Sequence, residues 1–97
     1  MYVVIWEFTV SNADAIAFEK VYDSKGDWAT LFREARGYIR TELLRDIEFP
    51  GRYMTVDYWD SRNDYDTMRR TLNERYQELD ARSAGLTLTE RKVGAFE

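Results

Sequence analysis

The residue pattern predicts an α+β fold of the βαββαβ, ferredoxin-like kind, with a four-stranded antiparallel sheet and its helices on one face. Three observations lead there. Strand-like segments rich in β-branched and aromatic residues stand at the start, middle and end of the chain. Two helix-start signatures, Ser11 with Asp14 and Ser61 with Asp64, each precede an apolar stripe. A Pro50-Gly51 pair separates the two middle strands and marks a turn.

Residues 2–10, YVVIWEFTV, are apolar at almost every position and hold one charge, Glu7, as expected of a central strand covered on both faces. Ser11 then predicts a helix N-cap, and Phe18, Val21 and Tyr22 recur at helical spacing. Lys25 and Gly26 interrupt that helix. Asp27 restarts it, with Trp28, Leu31, Phe32 and Ala35 on one side. Gly37 closes the helix and opens GYIRTELLRDI, in which Ile39, Thr41, Leu43 and Arg45 are expected to face one way and Tyr38, Arg40, Glu42 and Leu44 the other. The link Phe49-Pro50-Gly51-Arg52 suits a type II turn, so this strand and the next, residues 53–59, form a hairpin. After Ser61 the stripe Tyr65, Met68, Leu72, Tyr76 and Leu79 predicts the second main helix, kinked near residues 71–73. Gly85 suits a position just past a helix end, and LTLTERKV alternates as a last, partly exposed strand.

Right-handed crossovers put both helices on one face of such a sheet and leave the other bare. In the first strand Tyr2, Val4, Trp6 and Phe8 point opposite to Val3 and Ile5, so apolar side chains occupy both faces. A second copy of the chain is the simplest cover. Sheet against sheet, a two-fold homodimer turns two open sheets into one dimeric α/β barrel.

Composition narrows the chemistry. The 97 residues suit a single domain over 1–97, and 44% hydrophobic with 15% aromatic residues supply a core and material for an interface or cavity. A net charge of −4 with scattered basic residues predicts no nucleic-acid partner. No apolar run approaches the roughly 20 residues needed to cross a bilayer, and Met1 opens directly into a strand-like segment, so the expectation is a cytoplasmic protein with no membrane partner. Zero Cys and zero His remove thiolate nucleophiles, iron–sulfur and zinc-cysteine sites, and the commonest base and metal ligand. No EF-hand spacing, H-E-x-x-H motif, Gly-rich phosphate loop or dinucleotide fingerprint occurs, and neither metal nor cofactor is expected.

VVIWEFTV as first strand, GYIRTELLRD after the first helix and TVDYWDSRNDYDTM from third strand into second helix resemble the dimeric α/β-barrel superfamily, and within it the antibiotic biosynthesis monooxygenase-like proteins. The resemblance spans nearly the whole chain. It implies a homodimer, and a family that includes cofactor-free oxygenases of electron-rich aromatics and haem-degrading enzymes. In haem-degrading relatives the second helix carries a ring against the macrocycle and a His on the iron; the matching places here are Met68 and the stretch 76–78, with no His. In the cofactor-free relatives the same ring helps hold the aromatic substrate, and Met68 again replaces it.

Two groups of residues carry the candidate chemistry. Glu7 and Asp57 are acids within apolar strands, and burial inside the barrel raises such carboxyls toward neutral pH, where they serve as bases for a phenol. The competing reading pairs each with an arginine such as Arg40, Arg45 or Arg91. Trp28, Phe32, Tyr58, Met68, Leu72 and Tyr76 are the candidate lining of a flat apolar pocket for a small planar organic molecule, against plain core packing at helical spacing. Arg62, Arg69, Arg70 and Arg75 either meet an acidic ligand at its mouth or form ion pairs on a solvated helix face. The function expected is cofactor-free oxygenation of an aromatic or polyketide-like molecule, with Tyr58 and Tyr76 as orienting donors. The alternatives are a non-catalytic dimeric ligand-binding or scaffold protein and a monomeric regulatory domain.

Overall fold

β-Branched and aromatic residues dominate Tyr2–Thr9, and in the computed structural model, which describes residues 1–97, this segment is strand β1. Helices α1 (Ala15–Tyr22) and α2 (Asp27–Phe32) follow, then β2 (Tyr38–Arg45) and β3 (Arg52–Trp59), helices α3 (Arg62–Thr71) and α4 (Asn73–Ser83), and β4 (Thr89–Phe96). The sheet order is β2-β3-β1-β4 with every neighbouring pair antiparallel, the α+β ferredoxin-like arrangement. No helix is long and apolar enough to cross a membrane.

Local signals explain most boundaries. The Ser61 hydroxyl accepts a hydrogen bond from the Asp64 amide at 3.1 Å and caps α3. Ser11 behaves differently: it caps nothing, donates to the Asp14 carboxylate at 3.0 Å and introduces a 3-10 turn over Asn12–Asp14 before α1 starts. Gly51 has φ of +86°, as its turn requires, and a Cβ there would lie 2.5 Å from the Val10 carbonyl oxygen. The Val10 amide donates to the Gly51 carbonyl at 2.7 Å, tying the turn to the end of β1. Gly85 does not take the expected left-handed role; it lies in a 3-10 turn, Ala84–Leu86, and β4 begins only at Thr89. The predicted kink is a full break at Leu72, whose φ of −107° and ψ of 16° separate α3 from α4.

Side-chain alternation sorts the sheet into two faces. Tyr2, Val4 and Phe8 of β1 and Tyr53 and Trp59 of β3 are buried toward the helices, where Phe18, Met68 and Leu79 complete the core. Trp59, Phe18, Met68 and Val4 are the largest fully buried side chains. Across β1 and β3, Ile5 lies opposite Val56 and Val3 opposite Tyr58 on the face without helices. On that face Leu44 and Phe96 are 51% and 47% exposed.

One strand departs from simple alternation. A bulge at Ile39 shifts the β2 register, so Tyr38 lies opposite Trp59 and Thr41 opposite Asp57. Tyr38 therefore shares the helix side with Thr41, correcting the expectation that the two face apart; its ring lies 5.2 Å from Trp59 and 5.7 Å from Phe32.

Candidate functional site

Asp57 occupies the middle of a central strand, opposite Val4 on one side and Thr41 on the other, and its side chain is only 9% exposed. A carboxylate in that position meets the low-dielectric side of the sheet. Its Oδ1 accepts a hydrogen bond from the Thr41 hydroxyl at 2.6 Å, and the Tyr38 hydroxyl lies 2.7 Å from Thr41 Oγ1. Oδ2 has no protein partner, and no arginine or lysine pairs with Asp57. Burial pushes the carboxyl up from 3.8 to about 6, against the lowering effect of the Thr41 bond.

Asp57 opens onto a cleft between helices and sheet, walled by the rings of Trp6, Phe8, Tyr22, Trp28, Phe32 and Tyr76. Thr41 and Thr55 floor it beside Asp57, while Asp80 of α4 and Glu90 of β4 complete its lining. Counted out to its open mouth the cleft holds about 470 Å³ of empty space, of which about 60 Å³ admits the centre of a water-sized molecule. The rings brace one another: Trp28 meets Tyr76 edge-on at 4.8 Å and Phe32 at 5.8 Å. Burial raises the Tyr76 hydroxyl well above the usual tyrosine range, so it remains a donor at neutral pH. The Trp28 indole N–H is buried without an acceptor.

Of the two acids singled out by sequence, the structure brings only Asp57 to the cleft. Glu7 faces the other side of the sheet, where Arg52 hydrogen-bonds it and Arg91 lies 3.5 Å away. The Arg52 hydrogen bond, supported by the charges of Arg52 and Arg91, holds its carboxyl below the usual range, the reverse of what a base near neutrality needs. Among the six candidate lining residues, Trp28, Phe32 and Tyr76 line the cleft. Tyr58 does not: it alternates onto the bare face, donates to Glu42 at 2.8 Å and carries Arg40 over its ring at 4.0 Å. Met68 is sealed in the core at 1% exposure, and Leu72 sits at the break between α3 and α4, packed against that core. Met68 before the break is inside the core, and Tyr76 after it packs against that core while also lining the cleft.

The arginines settle mostly on the surface. Arg62 lies 3.7 Å from Asp66, and Arg75 makes a two-pronged bond to Glu34. Arg69 stacks over Tyr76 at 3.9 Å. Trp6, Phe8, Tyr22, Thr41 and Thr55 are not picked out by sequence; shared parity with Val4 on β1 and with Asp57 across β2 and β3 is the signal that finds all but Tyr22, which comes from α1. Glu90 is found the same way, opposite Phe8 across β1 and β4, whereas Asp80 of α4 carries no such signal. Nowhere do three or more carboxylates gather in a way that could hold a metal ion.

The antibiotic biosynthesis monooxygenase family's sequence model matches residues 1–79. The chain belongs to the antibiotic biosynthesis monooxygenase family. Structures of such proteins share its fold. A variant of SnoaB, a cofactor-independent oxygenase from Streptomyces nogalater, superposes with a TM-score of 0.81 at 22% identity, over 99% of this chain and 90% of that one. A protein from Nitrosomonas europaea named for the same family gives 0.74 at 20% identity, covering 100% and 97%. Another, from Deinococcus radiodurans, gives 0.76 at 19%, covering 100% and 91%. Comparison with curated proteins gave no match.

Proposed function

We propose that the protein is a homodimeric monooxygenase that oxidises a small phenolic molecule without a cofactor, with Asp57 as its base. The observation that carries this reading is a carboxylate with no cationic partner, raised to about 6, at the floor of an aromatic-walled cleft. Such a group is ionised at neutral pH yet basic enough to take a phenol proton. Only about 60 Å³ of the cleft admits the centre of a water-sized molecule, below the roughly 300–1,000 Å³ of drug-sized sites, so this reading requires a small substrate and wall side chains that shift to admit it. The likeness to SnoaB adds the chemistry, since that protein oxygenates without a cofactor.

The substrate supplies the electrons. Asp57 removes the phenol proton, and the phenolate passes one electron to O₂, leaving a phenoxyl radical and superoxide. These combine at the ring carbon para to the oxygen, forming a C–O bond, and Asp57 returns its proton to the distal oxygen. Loss of the proton on that carbon then breaks the O–O bond and expels hydroxide, which takes the proton to leave as water. A phenol and O₂ thus become a quinone and H₂O. Tyr76 orients the phenolic oxygen, and the rings exclude water from the radical pair.

The face without helices, with the apolar Val3, Ile5 and Val56 at its centre and ion-paired side chains around them, suits burial against a second copy of the chain. Light scattering is expected to give twice the 11.6 kDa chain mass. Oxygen-electrode assays with a panel of phenols and hydroquinones test the activity. Uptake by the native protein that Asp57→Asn abolishes supports the proposal. Ligand binding with no oxygen uptake across the panel would instead assign a binding protein.

A further inference from the structure

Every charged side chain lining the cleft is acidic: Asp57 at the floor, Asp80 and Glu90 toward the mouth. Neither Asp80 nor Glu90 belongs to any ion pair, although the surface forms seven elsewhere. They sit on different elements, α4 and β4, and converge on the same opening. Burial first, and then the neighbouring Asp80, pushes the Glu90 carboxyl up. No arginine or lysine lines the cleft. Arg69 stacks over the outer side of the Tyr76 wall and feels the Asp80 charge without pairing with it, and Lys92 lies opposite Trp6 on the edge strand.

The remaining walls are six aromatic rings. Ring faces carry negative quadrupole density and attract organic cations, Trp most strongly, and the cleft contains both Trp6 and Trp28. Rings and unpaired carboxylates around one cavity together favour a positive charge. They disfavour a ligand that enters as an anion, and in a partly desolvated site that preference is stronger than in water.

We infer that the ligand of this cleft is an aromatic molecule carrying a protonated or quaternary amine, its ring held between the aromatic walls and its ammonium group at Asp80 and Glu90. The inference rests on the phenol-oxidising reading for the ring's chemistry and adds the charge that reading leaves open. It also resolves an electrostatic conflict. With the phenol proton on Asp57, the phenolate is opposed by the charges of Asp80 and Glu90, whereas a phenolate tethered to an ammonium group forms as a neutral pair.

The test uses three naphthols alike in shape, bearing a trimethylammoniomethyl group, the uncharged neopentyl isostere or a carboxymethyl group. Binding is followed by quenching of tryptophan fluorescence, independently of turnover. The cationic naphthol is expected to bind about tenfold or more tightly than the neutral one, and the anionic naphthol more weakly than both. In Asp80→Asn/Glu90→Gln, two surface changes, that advantage is expected to vanish while the neutral naphthol binds as before. Equal binding of cation and isostere, tighter binding of the anion, no binding of any of the three, or an advantage that survives the double substitution would each overturn the inference. A cation preference without oxygen uptake would leave this inference standing and sink the oxygenase reading. Oxygen uptake with no charge preference would do the reverse.

Discussion

On one side of the sheet Asp57 stands among rings with a threonine for a partner; on the other Glu7 stands between Arg52 and Arg91. Both are acids in central strands, and their ordinary affinities for a proton are nearly the same. The sheet drives them in opposite directions. Burial without a cation raises Asp57 to about 6, while Arg52 and Arg91 hold Glu7 down. Helices covering one face, and their absence from the other, thus make one carboxylate a candidate base and the other a structural charge.

The sharpest way to break this comparison is to place a charge on each face at neighbouring residues. Val4, 1% exposed, points into the core, and Ile5 points to the bare face. Val4→Asp is expected to unfold the protein, because an unpaired charge in a sealed core costs more than the whole stability of a domain this size, about 5–15 kcal/mol. Ile5→Asp is expected to keep its circular-dichroism spectrum and scatter light as a monomer. An unfolded Ile5→Asp and a folded Val4→Asp would reverse the two faces.

Next comes turnover. Asp57→Asn is expected to lower oxygen uptake by about 100- to 10,000-fold, the range of a general base, whereas Glu7→Gln leaves it within about threefold. Equal losses in the two variants would mean that neither carboxylate acts as the base. The native rate is expected to climb as pH rises through about 6, following ionisation of Asp57.

Stability supplies a smaller contrast of opposite sign. Between 3.8 and about 6 the unfolded chain has released the Asp57 proton that the folded chain keeps, so stability falls as pH rises through this window, by on the order of 2–3 kcal/mol. Asp57→Asn has no proton to lose and is expected to be more stable than the native chain by about that amount at pH 8 in urea titrations. Loss of activity with gain of stability would mark a functional residue.

Glu7 is expected to show the smallest effect. Its folded state holds a proton less readily than the usual 4.5, so its contribution is complete above that value and lost as pH falls through the lowered one. Melting temperatures of Glu7→Gln are therefore expected to fall less than the native ones on acidification. A native profile as flat as the variant's would show that the two arginines do not stabilise the folded state through Glu7.

Strand and helix order was legible because its signals are local: the apolar run of β1, the Pro50-Gly51 turn and Ser61 before Asp64 each act within a few residues. Facing was not. In β3 Tyr53, Thr55, Asp57 and Trp59 alternate with Arg52, Met54, Val56 and Tyr58, and each set mixes polar and apolar groups, so alternation alone does not say which acid meets the helices. Tyr58 was misplaced for that reason. Tyr38 was misplaced because a bulge leaves no mark in composition, and Met68 because the break at Leu72 divides one apolar stripe between core and cleft. Asp80 and Glu90 look like any solvated acid until α4 and β4 bring them to one opening.

The bulge at Ile39 has a stereochemical consequence. By turning Tyr38 to the helix side, it sets a second hydroxyl beside Thr41. A threonine has one proton to give, and Thr41 gives it to Oδ1 of Asp57, leaving its lone pairs to receive from Tyr38. Oδ1 is thereby engaged, and Oδ2 is left without a protein partner. The carboxyl group has been made handed: of two chemically identical oxygens, one is held by the scaffold and the other left open.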